Sequence, residues 1–195
     1  MVDFPSIETD RLQLSIFQPQ HAERLLAYDR RNREFLEPWE PARDESSYCI
    51  DYFVQMAVQS RTQFQEGAGY RFVAFLKSDD VLVACCNVSN VVRGVFQACH
   101  LGFSVDESYQ GRGLMTEAVR SVLTYLENEV GLHRVMANHL PNNERSAKLL
   151  SNLGFEQEGY AKSYLKIAGR WQDHVLRSLV FSNQTNENVS TTWMT

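Results

Sequence analysis

Gly111-Arg112-Gly113 lies between an apolar run, residues 96–105, and an amphipathic run that opens at Leu114. Two glycines one residue apart let the backbone turn tightly and come close to a ligand. A helix starting directly after them places unpaired N–H groups and the positive end of its dipole at the turn. Together these features make an anion site suited to a pyrophosphate. Better-known phosphate loops fail on residue type. A Rossmann fingerprint needs a third glycine where Thr116 stands, and an acid at the end of the next strand, which residues 134–140 do not offer. A P-loop needs Gly-Lys-Ser/Thr, which the chain lacks. Taken alone, the loop can equally be an ordinary glycine turn before a helix.

The elements around this loop follow from periodicity. Residues 11–17 alternate as a strand, and Pro19 opens a helix to about Arg31 with Ala22, Leu25 and Leu26 on one face. Residues 32–44 contain Glu37-Pro38-Trp39-Glu40-Pro41 and cannot be a regular helix. Ser46 or Ser47 can cap a second helix to about Gln65. Strands are expected at residues 70–76, 81–89 and 96–105. The glycine loop then feeds a helix to about Val130, with Leu114, Ala118, Val122 and Leu126 repeating every four residues. A strand at 134–140, a helix at 143–153 and strands at 155–167 and 171–181 complete the chain. The order β-α-α-β-β-β-α-β-α-β-β implies one domain over residues 1–181, with one mixed sheet and helices on both faces (α/β, of mixed α+β type). Residues 182–195 are polar and read as a mobile tail.

Composition narrows the function. The 195 residues are 44% hydrophobic and 22% charged, enough to fill a core. No run reaches the roughly 18 apolar residues of a membrane span. The start, Met1-Val2-Asp3-Phe4, carries no secretory pattern, so a cytoplasmic location is the default expectation. A net charge of −5 argues against direct nucleic-acid binding, which calls for a basic footprint. The four cysteines lack Cys-x-x-Cys spacing, and the five histidines form no metal-ligand pattern, so no metal is expected. Cys85 and Cys86 are neighbours in a strand and must face opposite ways.

With the elements in order, Gln110-Gly111-Arg112-Gly113-Leu114-Met115 after the third meander strand resembles the loop of the GNAT superfamily of acetyltransferases. Asn142-Asn143-Glu144-Arg145-Ser146, followed by Leu149-Leu150 and Leu153-Gly154-Phe155, is similar to the second motif of that family. The resemblance covers about residues 6–181. It sharpens toward the RimJ-type ribosomal-protein N-terminal alanine acetyltransferases in Glu37-Pro38-Trp39-Glu40-Pro41, Arg43-Asp44-Glu45-Ser46, Gly169-Arg170-Trp171 and Asp173-His174-Val175-Leu176.

This resemblance implies a GNAT fold whose twisted sheet splays into a V between residues 101–105 and 134–140. It implies acetyl-CoA as cosubstrate. Backbone groups of Phe103, Ser104 and Val105 would meet the pantetheine amides as an added strand and polarise the thioester. Amides of Gly111, Arg112, Gly113, Leu114, Met115 and Thr116 would hold the pyrophosphate. Met115 departs from the usual Gly or Ala, but backbone does the binding. The Arg112 side chain either adds charge to a phosphate or is an ordinary surface arginine. Asn143 either contacts the pantetheine arm, caps the next helix, or does both.

The catalytic groups are less plain. Many relatives carry a Tyr where Leu150 stands, so Ser146 is the replacement acid that the subgroup suggests; its alternative is a first-turn serine bonding backbone. Some relatives carry a Glu where Asn138 stands, and Asn can only hold a water. Glu40 is the first candidate base, with Glu37 and His100 behind it. An α-amine has a pKa near 8 and lysine near 10.4, so at pH 7.5 about a quarter of the former is neutral but only about one in a thousand of the latter. An α-amine acceptor therefore asks less of a base. Glu34, Glu37, Glu40, Asp44 and Glu45 surround Trp39 and can receive a basic peptide, or simply form a solvated acidic loop. Tyr160, Tyr164 and Trp171 either line the other wall or belong to the core. The implied acceptor is the N-terminal alanine of a small-subunit ribosomal protein, free or in the assembling subunit. A small-amine acetyltransferase and a non-catalytic acyl-CoA-binding module remain as alternatives.

Overall fold

The computed structural model describes residues 4–182. Beyond Ser182, the stretch expected to be a mobile tail lies outside the described residues. Eight strands form one sheet in the order β1-β2-β3-β4-β5-β6-β8-β7. They are β1 Ser6–Glu8, β2 Leu12–Ile16, β3 Tyr70–Leu76, β4 Leu82–Val92, β5 Ala98–Val105, β6 Arg134–Met136, β7 Glu156–Ile167 and β8 Arg170–Val180. The helices are α1 Ala22–Arg31, α2 Arg33–Leu36, α3 Ile50–Gln65, α4 Leu114–Asn128 and α5 Glu144–Asn152. Neighbouring strands run antiparallel except β5 and β6, which are parallel. Among the described residues no helix is long and apolar enough to cross a membrane.

Alternation along the strands divides the core in two. Leu12, Leu14, Phe72, Cys86, Val88, Cys99 and Leu101 pack with Leu114, Ala118, Val122 and Leu126 of α4. On the opposite face Val73, Phe75 and Leu82 pack with Leu25, Leu26 and Tyr28 of α1 and Phe53 and Ala57 of α3. Cys85 and Cys86 fall on opposite faces, as their adjacency requires. The every-fourth-residue stripe of α4 is thus its buried seam, each large side chain contributing about 1.5–3 kcal/mol on burial.

The parallel pair is short, and that shapes the molecule. Only Ala98↔Arg134, Cys99↔Val135 and His100↔Met136 are in register between β5 and β6. Beyond them the chain leaves β5 and follows β8: Ala137 N–H donates to the Arg177 carbonyl at 2.9 Å, and His139 exchanges bonds with Val175. The strand expected at 134–140 therefore pairs with β5 over its first three residues alone. From Leu101 to Val105, β5 keeps β4 on one edge and leaves its other edge bare. This is the V-shaped splay.

Several expectations needed local correction. β1 was not foreseen, because three residues cannot establish a period. Ser46 and Ser47 do not cap α3. They belong to a separate 3-10 turn, Glu45–Ser47, and α3 begins at Ile50 after Cys49 without a side-chain cap. The loop at 32–44 includes the short α2 and a 3-10 turn, Glu37–Trp39, with Pro38 in its first turn, where the missing N–H costs nothing.

Candidate active site

A cleft of about 1130 Å³ opens where β5 loses its partner. Its walls are the bare edge at Phe103, Ser104 and Val105, the N-termini of α4 and α5, and the loop from Glu34 to Glu40. Gly111, Gly113, Leu114, Met115, Thr116, Asn143, Ser146 and Glu40 all line it. The geometry thus joins four stretches far apart in sequence.

At one end the glycine loop turns through left-handed backbone, with φ of 72° at Gly111 and 77° at Gly113. Such φ values cost an L-residue roughly 1–2 kcal/mol. Gly113 is the N-cap of α4 and has no side chain with which to cap it. The first intrahelical bond runs from Glu117 N–H to the Gly113 carbonyl at 3.1 Å, so the amides of Leu114, Met115 and Thr116 stand ahead of the ladder. An anion fits there, on backbone donors and the helix dipole.

Two braces hold this loop, and neither was visible in the sequence. In the first, the Glu117 carboxylate accepts from Thr9 Oγ1 at 2.6 Å, Arg11 N at 2.8 Å and Arg11 Nε at 2.7 Å, while Arg11 Nη1 donates to the Arg112 carbonyl at 2.7 Å. Burial pushes the Glu117 carboxyl up, but the bonds from Thr9 and Arg11 outweigh it and leave the pKa below the ordinary value. In the second, buried Asp106 accepts from Arg31, from Asn32 Nδ2 at 3.1 Å and from Ser108 N at 2.9 Å. Asn32 Oδ1 in turn accepts from Glu107 N at 2.9 Å. Here too burial works upward, and the donors Arg31, Asn32 and Ser108 bring the Asp106 pKa below normal. The Arg112 side chain folds back, with Nη2 on the Ser108 carbonyl at 3.0 Å and its guanidinium 5.0 Å from the Tyr109 ring centre. It is not among the lining residues.

Across the cleft, Asn143 caps α5: its Oδ1 accepts from Ser146 N at 3.1 Å. Its Nδ2 is left for another partner. Ser146 lies in the first turn of α5, and Arg145 Nη1 reaches Gln110 Oε1 at 2.5 Å, linking α5 to the glycine loop. Asn138 sits apart. Its Oδ1 accepts from Arg177 N and its Nδ2 donates to Tyr164 Oη, both at 3.3 Å, and it does not line the cleft.

At the acceptor end, Glu40 lines the cleft and binds Arg43, whose Nη2 donates to Glu40 Oε2 at 2.7 Å. Arg43 Nη1 also pairs with Asp29, a buried residue of α1. Burial raises the pKa of both carboxyls, with Arg43 pulling against it. Tyr28 Oη bonds Ser104 Oγ at 3.0 Å behind the bare strand. Glu37 is exposed and His100 stands on the last β5–β6 rung; neither lines the cleft. Burial lowers the His100 pKa. Of the acidic loop, Glu34 and Glu40 line the cleft, whereas Glu45 is engaged by Arg33 at 3.1 and 2.6 Å. Tyr160, Tyr164 and Trp171, for which the sequence allows either cleft wall or core, do not line the cleft. Tyr160 and Trp171 are 53% and 65% exposed, which also excludes them from the core.

Comparison with known proteins agrees with this architecture. Residues 11–156 match the family model described as an acetyltransferase (GNAT) domain. The chain is 43% identical over 180 residues to the [ribosomal protein uS5]-alanine N-acetyltransferase of Escherichia coli (strain K12), covering 92% of each chain. The ribosomal-protein-S5-alanine acetyltransferase of Vibrio fischeri superposes with a TM-score of 0.89 at 35% identity, over 93% of this chain and 100% of that one. RimJ of Mycobacterium smegmatis, solved in complex with CoA-disulfide, superposes with a TM-score of 0.84 at 25% identity, over 94% of this chain and 89% of that one. The bare β5 edge, the uncapped helix behind a two-glycine loop and these likenesses lead to one conclusion: the chain belongs to the GNAT family of acetyltransferases.

Proposed function

We propose that the chain transfers the acetyl group of acetyl-CoA to the α-amine of the N-terminal alanine of ribosomal protein uS5, in the cytoplasm, through one domain spanning residues 1–181. The observation that carries this reading is the cleft at the β5 splay, in a chain 43% identical over 92% of its length to a uS5-alanine acetyltransferase. Acetyl-CoA supplies an activated thioester carbonyl. Phe103 and Val105 offer backbone groups for an extended polyamide, and the amide row near Ser104 polarises a carbonyl lying on the edge. The amides of residues 111–116 receive the pyrophosphate, and Asn143 Nδ2 donates to the pantetheine arm.

Glu40 takes a proton from the acceptor's α-ammonium, and the neutral amine attacks the thioester carbon. As the C–S bond breaks, Ser146 Oγ–H hands a proton to the departing sulfur and takes one in its place from the attacking nitrogen, leaving a neutral amide, free coenzyme A thiol and the first proton on Glu40. Asn138, occupied by Arg177 and Tyr164, braces β8 rather than holding a catalytic water. Holding both reactants in one cleft supplies much of the acceleration. Glu34 and Glu40 at the acceptor end favour a positively charged peptide.

Coenzyme A release tests this. Acetyl-CoA is offered with short basic peptides beginning with Ala, Ser or blocked Ala, and with a panel of small amines. Selective turnover of free Ala-peptides is expected. Preference for a free small amine, or tight binding of acetyl-CoA with no turnover on Ala-peptides or on uS5 itself, overturns the reading.

A further inference from the structure

A group of partly buried charges outside the cofactor end lies under the acceptor end. It joins Asp29 of α1, Glu40 and Arg43 of the irregular loop, and Arg71 of β3. Arg43 is the hub, with Nη1 on Asp29 and Nη2 on Glu40 Oε2. The Glu40 carbonyl accepts from Ala168 N at 2.9 Å, so the tip of the β7–β8 hairpin pins its backbone. Glu40 is thus held at main chain and side chain, in the wall of the cleft that it lines. Interchangeable apolar residues usually match or exceed the stability of a buried ion pair. A charged cluster at the cleft wall, rather than deep in the core, therefore calls for a reason beyond stability.

We propose that Asp29 and Arg43 are positioning residues for acetyl transfer: as an ion triad with Glu40 they aim its carboxylate at the acceptor amine and govern its charge. The inference rests on the reading of Glu40 as the proton acceptor. Each member has a defined effect. Arg43 favours the charged carboxylate, whereas Asp29, a like charge beside it, disfavours it. Arg71 faces the cluster from β3 and adds a second, more distant positive charge. Other titratable groups face the cluster from the elements packed against it. Burial pushes Tyr28 from α1 and Cys85 from β4 well above their usual values. Tyr48, just ahead of α3, faces Arg43, and Tyr52, in the first turn of α3, faces Arg71. Asp29 and Arg43 therefore act on Glu40 in opposite directions.

The test follows the Glu40 side-chain carboxyl by carbon NMR titration, with the pH profile of kcat/KM for an Ala-peptide. Asp29→Asn should lower the Glu40 titration and extend activity to lower pH. Arg43→Met should raise the titration by about one unit and cost about tenfold in kcat/KM on the acid side, with KM for acetyl-CoA unchanged. Arg43→Lys, which keeps the charge, should restore most of the loss. The limb set by the acceptor's own amine is common to all variants. Should Arg43→Met fail to fold, Asp29→Asn and Arg43→Lys still decide the matter. Shifts of the same sign, or no shift, overturn the triad while Glu40→Gln remains inactive. Full turnover by Glu40→Gln overturns the base reading instead.

Discussion

Asn143 carries two separable roles, and a pair of substitutions divides them. Its Oδ1 caps α5 through Ser146 N at 3.1 Å, while its Nδ2 is free for a ligand in the cleft. Helix α5 has nine residues, and Leu150 alone is fully buried, so the cap is a large share of what holds the helix start. Losing an Asn cap costs about 1 kcal/mol, and Ser caps nearly as well as Asn. In a protein of this size 1 kcal/mol shifts Tm by roughly 2–4 °C. A neutral hydrogen bond to a ligand is worth about 0.5–1.5 kcal/mol, or roughly two- to tenfold in Kd.

Asn143→Ser should therefore keep Tm within about a degree of wild type and weaken acetyl-CoA binding by roughly two- to tenfold. Asn143→Ala should weaken binding at least as much and lower Tm by roughly 2–4 °C. Scanning fluorimetry and isothermal titration with coenzyme A read both quantities. Wild-type affinity in Asn143→Ser would refute the ligand contact and leave only a cap. An unchanged Tm in Asn143→Ala would refute the cap accounting.

Two further outcomes follow from the site. Ser146→Ala should lower kcat by about a hundredfold if Ser146 is the general acid, with KM for acetyl-CoA unchanged, since such a group contributes at least that factor; a serine that merely bonds backbone would leave kcat within twofold. Stability should fall steeply only in strong acid. Asp106 and Glu117 have folded pKa values below 3.8 and 4.5, so their contribution is complete above those values and is lost as pH drops through the folded ones. Asp29 and Glu40 are raised, so protonating them on the way down from neutrality relieves buried charge and offsets early loss. Denaturant midpoints from pH 7 to 3 should stay level to about pH 4.5 and then drop, and Asp106→Asn should flatten the drop. A steady decline from pH 7 would contradict this assignment.

What could be read from the chain was what local chemistry decides. Two glycines before a four-residue apolar repeat require a tight turn and an amphipathic helix wherever the rest of the chain lies, and both are present. Asn143 was legible as a cap for the same reason. The braces were not, because their partners lie far apart in sequence: Arg11 and Glu117 are separated by 106 residues, and Arg31 and Asp106 by 75. Nothing in the sequence pairs Asp29 with Arg43, and only the packing of α1 under the loop shows them to be paired and partly buried. The aromatic hairpin misled for the converse reason. Tyr160 and Trp171 have strand propensity, but nothing in that propensity says which face is covered.

The splay has the same character. An apolar run at 134–140 predicts a strand but not which neighbour it keeps. Its departure from β5 is enforced by directional polar bonds. His139 is buried, and Nε2 accepts from Arg177 Nε at 3.2 Å, so the ring proton sits on Nδ1 and is donated to the Leu140 carbonyl at 2.8 Å. Burial lowers the His139 pKa, and adjacent Arg177 lowers it further, which keeps the ring neutral and able to accept. The same Arg177 donates to Ser151 Oγ of α5 at 3.0 Å and to the Phe155 carbonyl at 3.2 Å. One guanidinium thus ties the exit of β6 to the helix that carries Asn143 and Ser146. Apolar burial is non-directional and can only keep these elements close. Hydrogen bonds have preferred angles, and here they set how far β6 turns from β5 and how wide the cleft stands.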